Sequence, residues 1–186
     1  TISAKTLTAT ASAANKTYDA NTTANVTLTF TGLVGSETLG QTVAATFNSA
    51  NAGSRTATVN SITLTDGTGL AANYTISTGQ TATATINTKA LSVSGTTAAN
   101  KTYDGTNTAT ITVGTISGFV GSETVTATAT GTFDSANAGS RTATAVYTLV
   151  NGTGGGLAAN YSLANSSPTA TINTKALSVS GTTAAN

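Results

Sequence analysis

Apolar and polar residues alternate along most of this chain. In 81–86, Ala82, Ala84 and Ile86 share one parity and Thr81, Thr83 and Thr85 the other. Strict alternation of this kind predicts half-buried strands. It predicts strands at 6–10, 24–30, 41–47, 56–64, 74–77 and 81–86, and again at 90–94, 109–113, 124–132, 142–149, 161–163 and 169–172. Threonine and valine dominate these segments, and β-branched side chains suit a pleated surface. Gly- and Asn-rich joints, among them Asp66-Gly67, Asp104-Gly105 and 152–156, separate them. No window of ten residues carries a helical stripe. The small, polar block 49–54 reads as a loop.

The pattern repeats at a spacing of roughly 86 residues. Lys16-Thr17-Tyr18-Asp19 returns as Lys101-Thr102-Tyr103-Asp104, and Gly35-Ser36-Glu37-Thr38 as Gly121-Ser122-Glu123-Thr124. The block 49–55 returns unchanged at 135–141, Leu70-Ala71-Ala72-Asn73-Tyr74 at 157–161, and 83–100 at 169–186. Such a period suits a small autonomous domain rather than one coil of a solenoid. Two cuts are open, with repeats starting at Lys5 and Lys89 or at Lys16 and Lys101, and the phase of alternation favours the first. Ile86 lies on even numbers and Leu91 and Val93 on odd, so the buried face changes across Asn87-Thr88. The chain therefore leaves one sheet there and enters another. This divides it into the end of a preceding repeat (1–4), two repeats (5–88 and 89–174) and the first strand of a further repeat (175–186). The predicted fold is all-β: two tandem small β-sandwiches of immunoglobulin-like build, elongated, joined by very short linkers. A β-grasp-like sheet is the alternative if one stretch proves helical. Tyr18, Phe30, Phe47 and Tyr74 are the expected core anchors of the first repeat; Tyr103, Phe119, Phe133, Tyr147 and Tyr161 are those of the second.

Composition narrows the chemistry. The 186 residues include no His, Cys, Met or Trp and one Pro, with threonine at roughly a quarter. Without His or Cys the chain cannot build a Ser-His-Asp triad, a Cys-His pair or a structural zinc site of the usual ligands. Seven Lys and Arg against six Asp and Glu leave a net charge of +1. The basic residues are scattered, which argues against nucleic acid, where phosphate contacts need clustered cations. No apolar run is long enough to span a bilayer as a helix. No signal-peptide pattern is present. The acids do not cluster as a calcium loop requires. The threonine row Thr81, Thr83, Thr85 reads as a solvated strand face. No catalytic, cofactor or metal residues are expected, and the protein is not expected to be an enzyme.

Lys101-Thr102-Tyr103-Asp104-Gly105, then Gly121-Ser122-Glu123, then 133–141, then Leu157-Ala158-Ala159-Asn160-Tyr161 resemble the YDG-type repeat of large bacterial surface adhesins, including filamentous-haemagglutinin-like proteins. The first copy departs from that motif, with Ala20 where Gly105 stands. The resemblance implies an extracellular stalk or spacer module at a bacterial cell surface or in a secreted filament. It would be free of cofactors, with neighbouring copies of the same repeat as its partners and self-association into fibres open to it. A glycan- or host-protein-binding module is the alternative. Two local features carry more specific chemistry. Some bacterial stalk domains hold a Lys–Asn isopeptide bond with a carboxylate as proton shuttle. Lys89, Glu123 and Asn160 offer those groups, although alternation with Tyr74 and Ile76 turns the matching Asn73 away from the core. The strand at 175–179 has alternating apolar residues and no domain of its own, so it could pair with the edge of another chain's sheet.

Overall fold

A computed structural model describes residues 1–181. It is built of short and long strands, with one 3-10 turn in each half and no α-helix among the described residues. The chain divides into two compact units, Thr1–Lys89 and Ala90–Asn186.

The first unit carries β1 (Lys5–Thr6), β2 (Thr8–Ala13), β3 (Lys16–Thr17), β4 (Thr23–Ala24), β5 (Val26–Thr31), β6 (Leu39–Phe47), β7 (Gly53–Asp66), β8 (Tyr74–Thr75) and β9 (Thr81–Asn87). Five of them form a sheet in the order β3-β9-β7-β6-β4. Its pairs are antiparallel except β3 with β9, where Lys16 lies opposite Ile86. A second layer is made by β2 against β5, antiparallel, and β1 against β8, parallel. β2 packs on β9 and β5 on β6, which closes the two layers into a sandwich-like unit.

The second unit repeats this plan with β10 (Lys89–Ser94), β11 (Thr97–Ala98), β12 (Lys101–Thr102), β13 (Thr108–Ala109), β14 (Ile111–Thr112), β15 (Thr115–Ser117), β16 (Val125–Phe133), β17 (Gly139–Asn151), β18 (Tyr161–Leu163) and β19 (Thr169–Asn173). Its five-stranded sheet runs β12-β19-β17-β16-β13, and its other layer holds β15-β10-β18 and β11-β14. The β-grasp alternative required a helix, and in both units the second layer is itself made of strands. Each strand expected inside the two repeats is present at least in part, but the one expected at 175–179 is not: those residues have no neighbouring strand to pair with. The two-residue parallel strands β3 and β12 were not expected.

The cores pair large side chains with small ones. Phe133 lies opposite Ala143 and Phe47 opposite Ala57, and both alanines are fully buried. Phe133 packs with Ala109, Ala143, Ala170 and Ile172. A ring set on alanines fills the gap between layers without strain, which close packing demands. The buried parity changes from one strand to the next: β9 buries Ala84 and Ile86, whereas β10 buries Leu91. The long hairpins differ by one residue, β7 having 14 and β17 having 13. The register of β6 with β7 shifts between Ala44 and Ala45, and Asn60 is the residue left over. This bulge moves the inward parity from Ala57 and Val59 to Ile62 and Leu64. β17 has no such break and keeps Ala143, Ala145, Tyr147 and Leu149 on one face.

Of the expected anchors, Tyr18, Tyr74 and Tyr161 are buried. Tyr103 is not: 40% of it is exposed, against 4% for Tyr18. It follows β12 at the end of the sheet, and its ring lies in an open cleft with Ala138, Thr174, Lys175 and Leu177. Phe119 and Tyr147 are half-buried.

Candidate functional site

Each repeat builds two constellations of polar side chains. The first is a clasp around the tyrosine that follows the 3-10 turn. In the second repeat the turn Ala158–Asn160 delivers Tyr161 to the start of β18. Asn151 Oδ1 accepts the amide of Ala158 at 2.8 Å and so caps this turn. The Tyr161 hydroxyl donates to Glu123 Oε2 at 2.7 Å and accepts the amide of Val120 at 3.1 Å. The Glu123 amide in turn donates to the Val120 carbonyl at 3.0 Å, closing the Gly121-Ser122 turn. Phe119 meets the Tyr161 ring edge-on, with centroids 5.9 Å apart. Burial, and then the adjoining Glu123 carboxylate, raise the Tyr161 hydroxyl above its usual 10. The first repeat has the same parts: Tyr74 donates to Glu37 and accepts from Val34, and Asp66 caps Ala71 at 2.7 Å. Here the Glu37 carboxylate, ahead of burial, raises the Tyr74 hydroxyl.

An open cleft of about 440 Å³ adjoins the first clasp and brings together Lys5, Glu37 and Asn73 around Tyr74. Lys5 lies opposite Tyr74 in the parallel pair of β1 with β8. A Cβ on Gly69 would stand 2.6 Å from Glu37 Oε2, so a side chain there would push this carboxylate aside. Of the residues named for a crosslink, Glu123 and Asn160 belong to the second unit, and Lys89 is the last residue of the first. Asn73 is exposed, as alternation expects. Asn160 is 1% exposed, which alternation does not expect. Both asparagines end a 3-10 turn, Ala71–Asn73 and Ala158–Asn160, so strand parity governs neither, and the turn alone does not set them apart.

The second constellation explains the Lys-Thr-Tyr-Asp motif. Lys101 Nζ bonds the carbonyls of Thr106 and Thr108 at 3.1 and 3.3 Å, the Thr106 hydroxyl at 2.9 Å and Asp104 Oδ1 at 2.8 Å. Asp104 Oδ1 also accepts the Thr106 amide at 2.9 Å, an Asx turn. The Lys101 ammonium, with the Thr106 amide and hydroxyl, brings the Asp104 carboxyl down to about 2. Lys16 repeats this with Asn21, Thr23 and Asp19. Partial burial raises Asp19, but Lys16 and Asn21 outweigh it and its carboxyl is lowered. The residue after the Asp is left-handed in both copies: Gly105 has φ +80° and Ala20 +62°.

Two further ties have no counterpart in the sequence reading. The Arg55 guanidinium bonds the carbonyls of Asn51 and Ala52, and Arg141 those of Asn137 and Ala138, all at 2.8–3.0 Å. A guanidinium fork crossing its own loop holds 49–55 and 135–141 in shape. Asn15 Oδ1 accepts the Thr85 amide, and Asn100 Oδ1 the Thr171 amide, each at 2.7 Å. Their recurrence at identical places in both copies was the available signal.

Among the described residues no three His, Cys, Asp or Glu gather as metal ligands do, and no helix is long and apolar enough to cross a membrane. The Asp, Lys and Arg side chains above are turned onto the chain's own backbone. The architecture is that of an all-β repeat domain present twice. The family model for the YDG domain matches residues 3–84 and 87–171, which together cover most of the chain, and the chain belongs to that family. Comparison with curated proteins and with solved structures gives no significant match.

Proposed function

We propose that this chain is a stalk or spacer segment of an extracellular bacterial adhesin or surface filament, and that it carries no catalysis of its own. The observation that supports this reading is the use of its polar chemistry. In both repeats the Lys, Asp, Arg and Glu side chains tie turns and loops of the repeat itself. The two family-matched segments follow one another directly, and only Thr88 stands between β9 of the first repeat and β10 of the second. The Lys–Asn crosslink belongs to this reading as an accessory. Its formation would join lysine Nζ to the asparagine Cγ and release ammonia, so the intact mass would fall by that of one ammonia.

The test places this chain between a surface anchor and a reporter binding domain. Reach of the reporter should rise with each added repeat, and the chain alone should bind neither a glycan array nor a panel of host matrix proteins. Micromolar binding by the chain alone, lost on Tyr103→Ala, would replace the spacer reading with that of an adhesive module.

A further inference from the structure

The segment 169–186 is identical to 83–100. The first halves of the two copies also fold alike: Ala84 and Ile86 are buried in β9, and Ala170 and Ile172 in β19. The second halves do not. Lys89–Ser94 forms β10, the middle strand of the β15-β10-β18 sheet, with Leu91 6% exposed. In the other copy the same residues make no strand, and Leu177 and Val179 are 92% and 81% exposed. One sequence in two states means that the second copy lacks its partners, not the propensity. The leucine that opens the first repeat, Leu7, is buried as Leu91 is.

Ile86 and Ile172 are both core residues, and each stands three residues before a lysine, Lys89 and Lys175. The phrase Ile86 to Lys89 spans the junction between β9, the last strand of the first repeat, and β10, the first strand of the second.

We infer that Lys175 to Ser180 is a strand whose acceptor is the first-strand slot of a further copy of this repeat, in line after this one. The slot is the gap between strands equivalent to β15 and β18, and Leu177 would take the place of Leu91. The apolar cleft of about 400 Å³ formed by Tyr103, Ala138, Thr174, Lys175 and Leu177 lies at the root of this strand. Its half-exposed tyrosine beside an exposed leucine is surface that a following copy would cover. Residues 182–186, the remainder of the expected first strand, lie outside the described residues. The inference does not depend on the spacer reading, because it concerns how the repeats interlock and not what they carry.

The test extends the whole 186-residue chain with a further copy of residues 101–174 and follows amide hydrogen exchange at 175–181 by mass spectrometry. In the unextended chain these amides should exchange within seconds. In the extended chain, burial of Leu177 and Val179 should slow them on the order of 100-fold. The double variant Leu177→Asp, Val179→Asp should abolish that protection and the unfolding transition of the added copy, leaving the first two units unchanged. The inference is overturned if the extended chain shows no slowing, or if the added copy folds equally well with both aspartates. Protection that arises in the unextended chain and grows with concentration would place the acceptor in another molecule and overturn the in-line arrangement.

Discussion

Among the described residues Ala20 is the one non-glycine residue with a positive φ, at the place where the second repeat has Gly105. A β-carbon in the left-handed region costs roughly 1–2 kcal/mol. Glycine gives back about 0.4–1 kcal/mol, because its unfolded chain is freer. Ala20→Gly should therefore stabilise the first unit by about 0.5–1 kcal/mol, and Gly105→Ala should weaken the second by a similar amount. Side-chain clash adds nothing to this estimate, since a Cβ on Gly105 meets nothing within 4 Å. The Lys101–Asp104 tie is also untouched, because its backbone partners are at 106 and 108. For a domain of this size the change corresponds to about 2–8 °C in melting temperature. Calorimetry gives the shift, and native-state hydrogen exchange resolved by peptide assigns it to one unit. The backbone argument is refuted if Gly105→Ala leaves the second unit unchanged, or if Ala20→Gly weakens the first.

Three other outcomes follow from the core and the polar ties. Phe133→Ala should cost about 3–5 kcal/mol and Ala143→Val about 1–3 kcal/mol, one by emptying and one by overfilling the same site; urea unfolding measures both, and a neutral Ala143→Val would mean that the core is looser than described. Tyr161→Phe removes the hydroxyl that accepts from the Val120 amide and donates to the Glu123 carboxylate, and should cost about 1–2 kcal/mol. Because the folded-state pKa of Tyr161 is raised, its hydroxyl contributes stability below pH 10 that is lost as pH rises through the folded value. Tyr161→Phe should flatten that part of the alkaline limb of a thermal-shift titration. Asp104 behaves in the opposite sense. Its folded-state pKa is depressed to about 2 from 3.8, so its contribution is present above about 4 and fades as pH falls toward 2; Asp104→Asn should remove that acid-side slope from the second unit.

The strands were legible because alternation over five or more residues leaves one solution for which face is buried. The change of buried parity between Ile86 and Leu91 was legible for the same reason. What escaped had no periodicity to show it. β3 and β12 are two residues long, too short for any alternation. The bulge at Asn60 lies inside a run whose apolar residues could follow either parity. Asn160 ends a 3-10 turn, where strand alternation does not run, and Tyr103 lies beyond a two-residue strand at the edge of a sheet. The lysine and arginine ties were hidden because their acceptors are mostly backbone carbonyls, which residue types do not reveal.

Those ties bear on what the repeat is built to do. Its core is thin, with alanine at many buried places, and small domains with thin cores are marginal. In both copies the turns are secured by the same groups in the same geometry: a lysine and an aspartate after the first hairpin layer, an arginine fork across the 49–55 or 135–141 loop, and a tyrosine held by a glutamate. Some packing residues and one cap differ between the copies: Val59 is matched by Ala145, Ile62 by Tyr147, and the Asp66 cap by Asn151. The Lys–Asp, Arg and Tyr–Glu ties are kept, although the side chain that shares the lysine changes from Asn21 to Thr106. The backbone trajectory they hold, from Lys5 to Ile86 and from Lys89 to Ile172, is the property that the proposed spacer role would require.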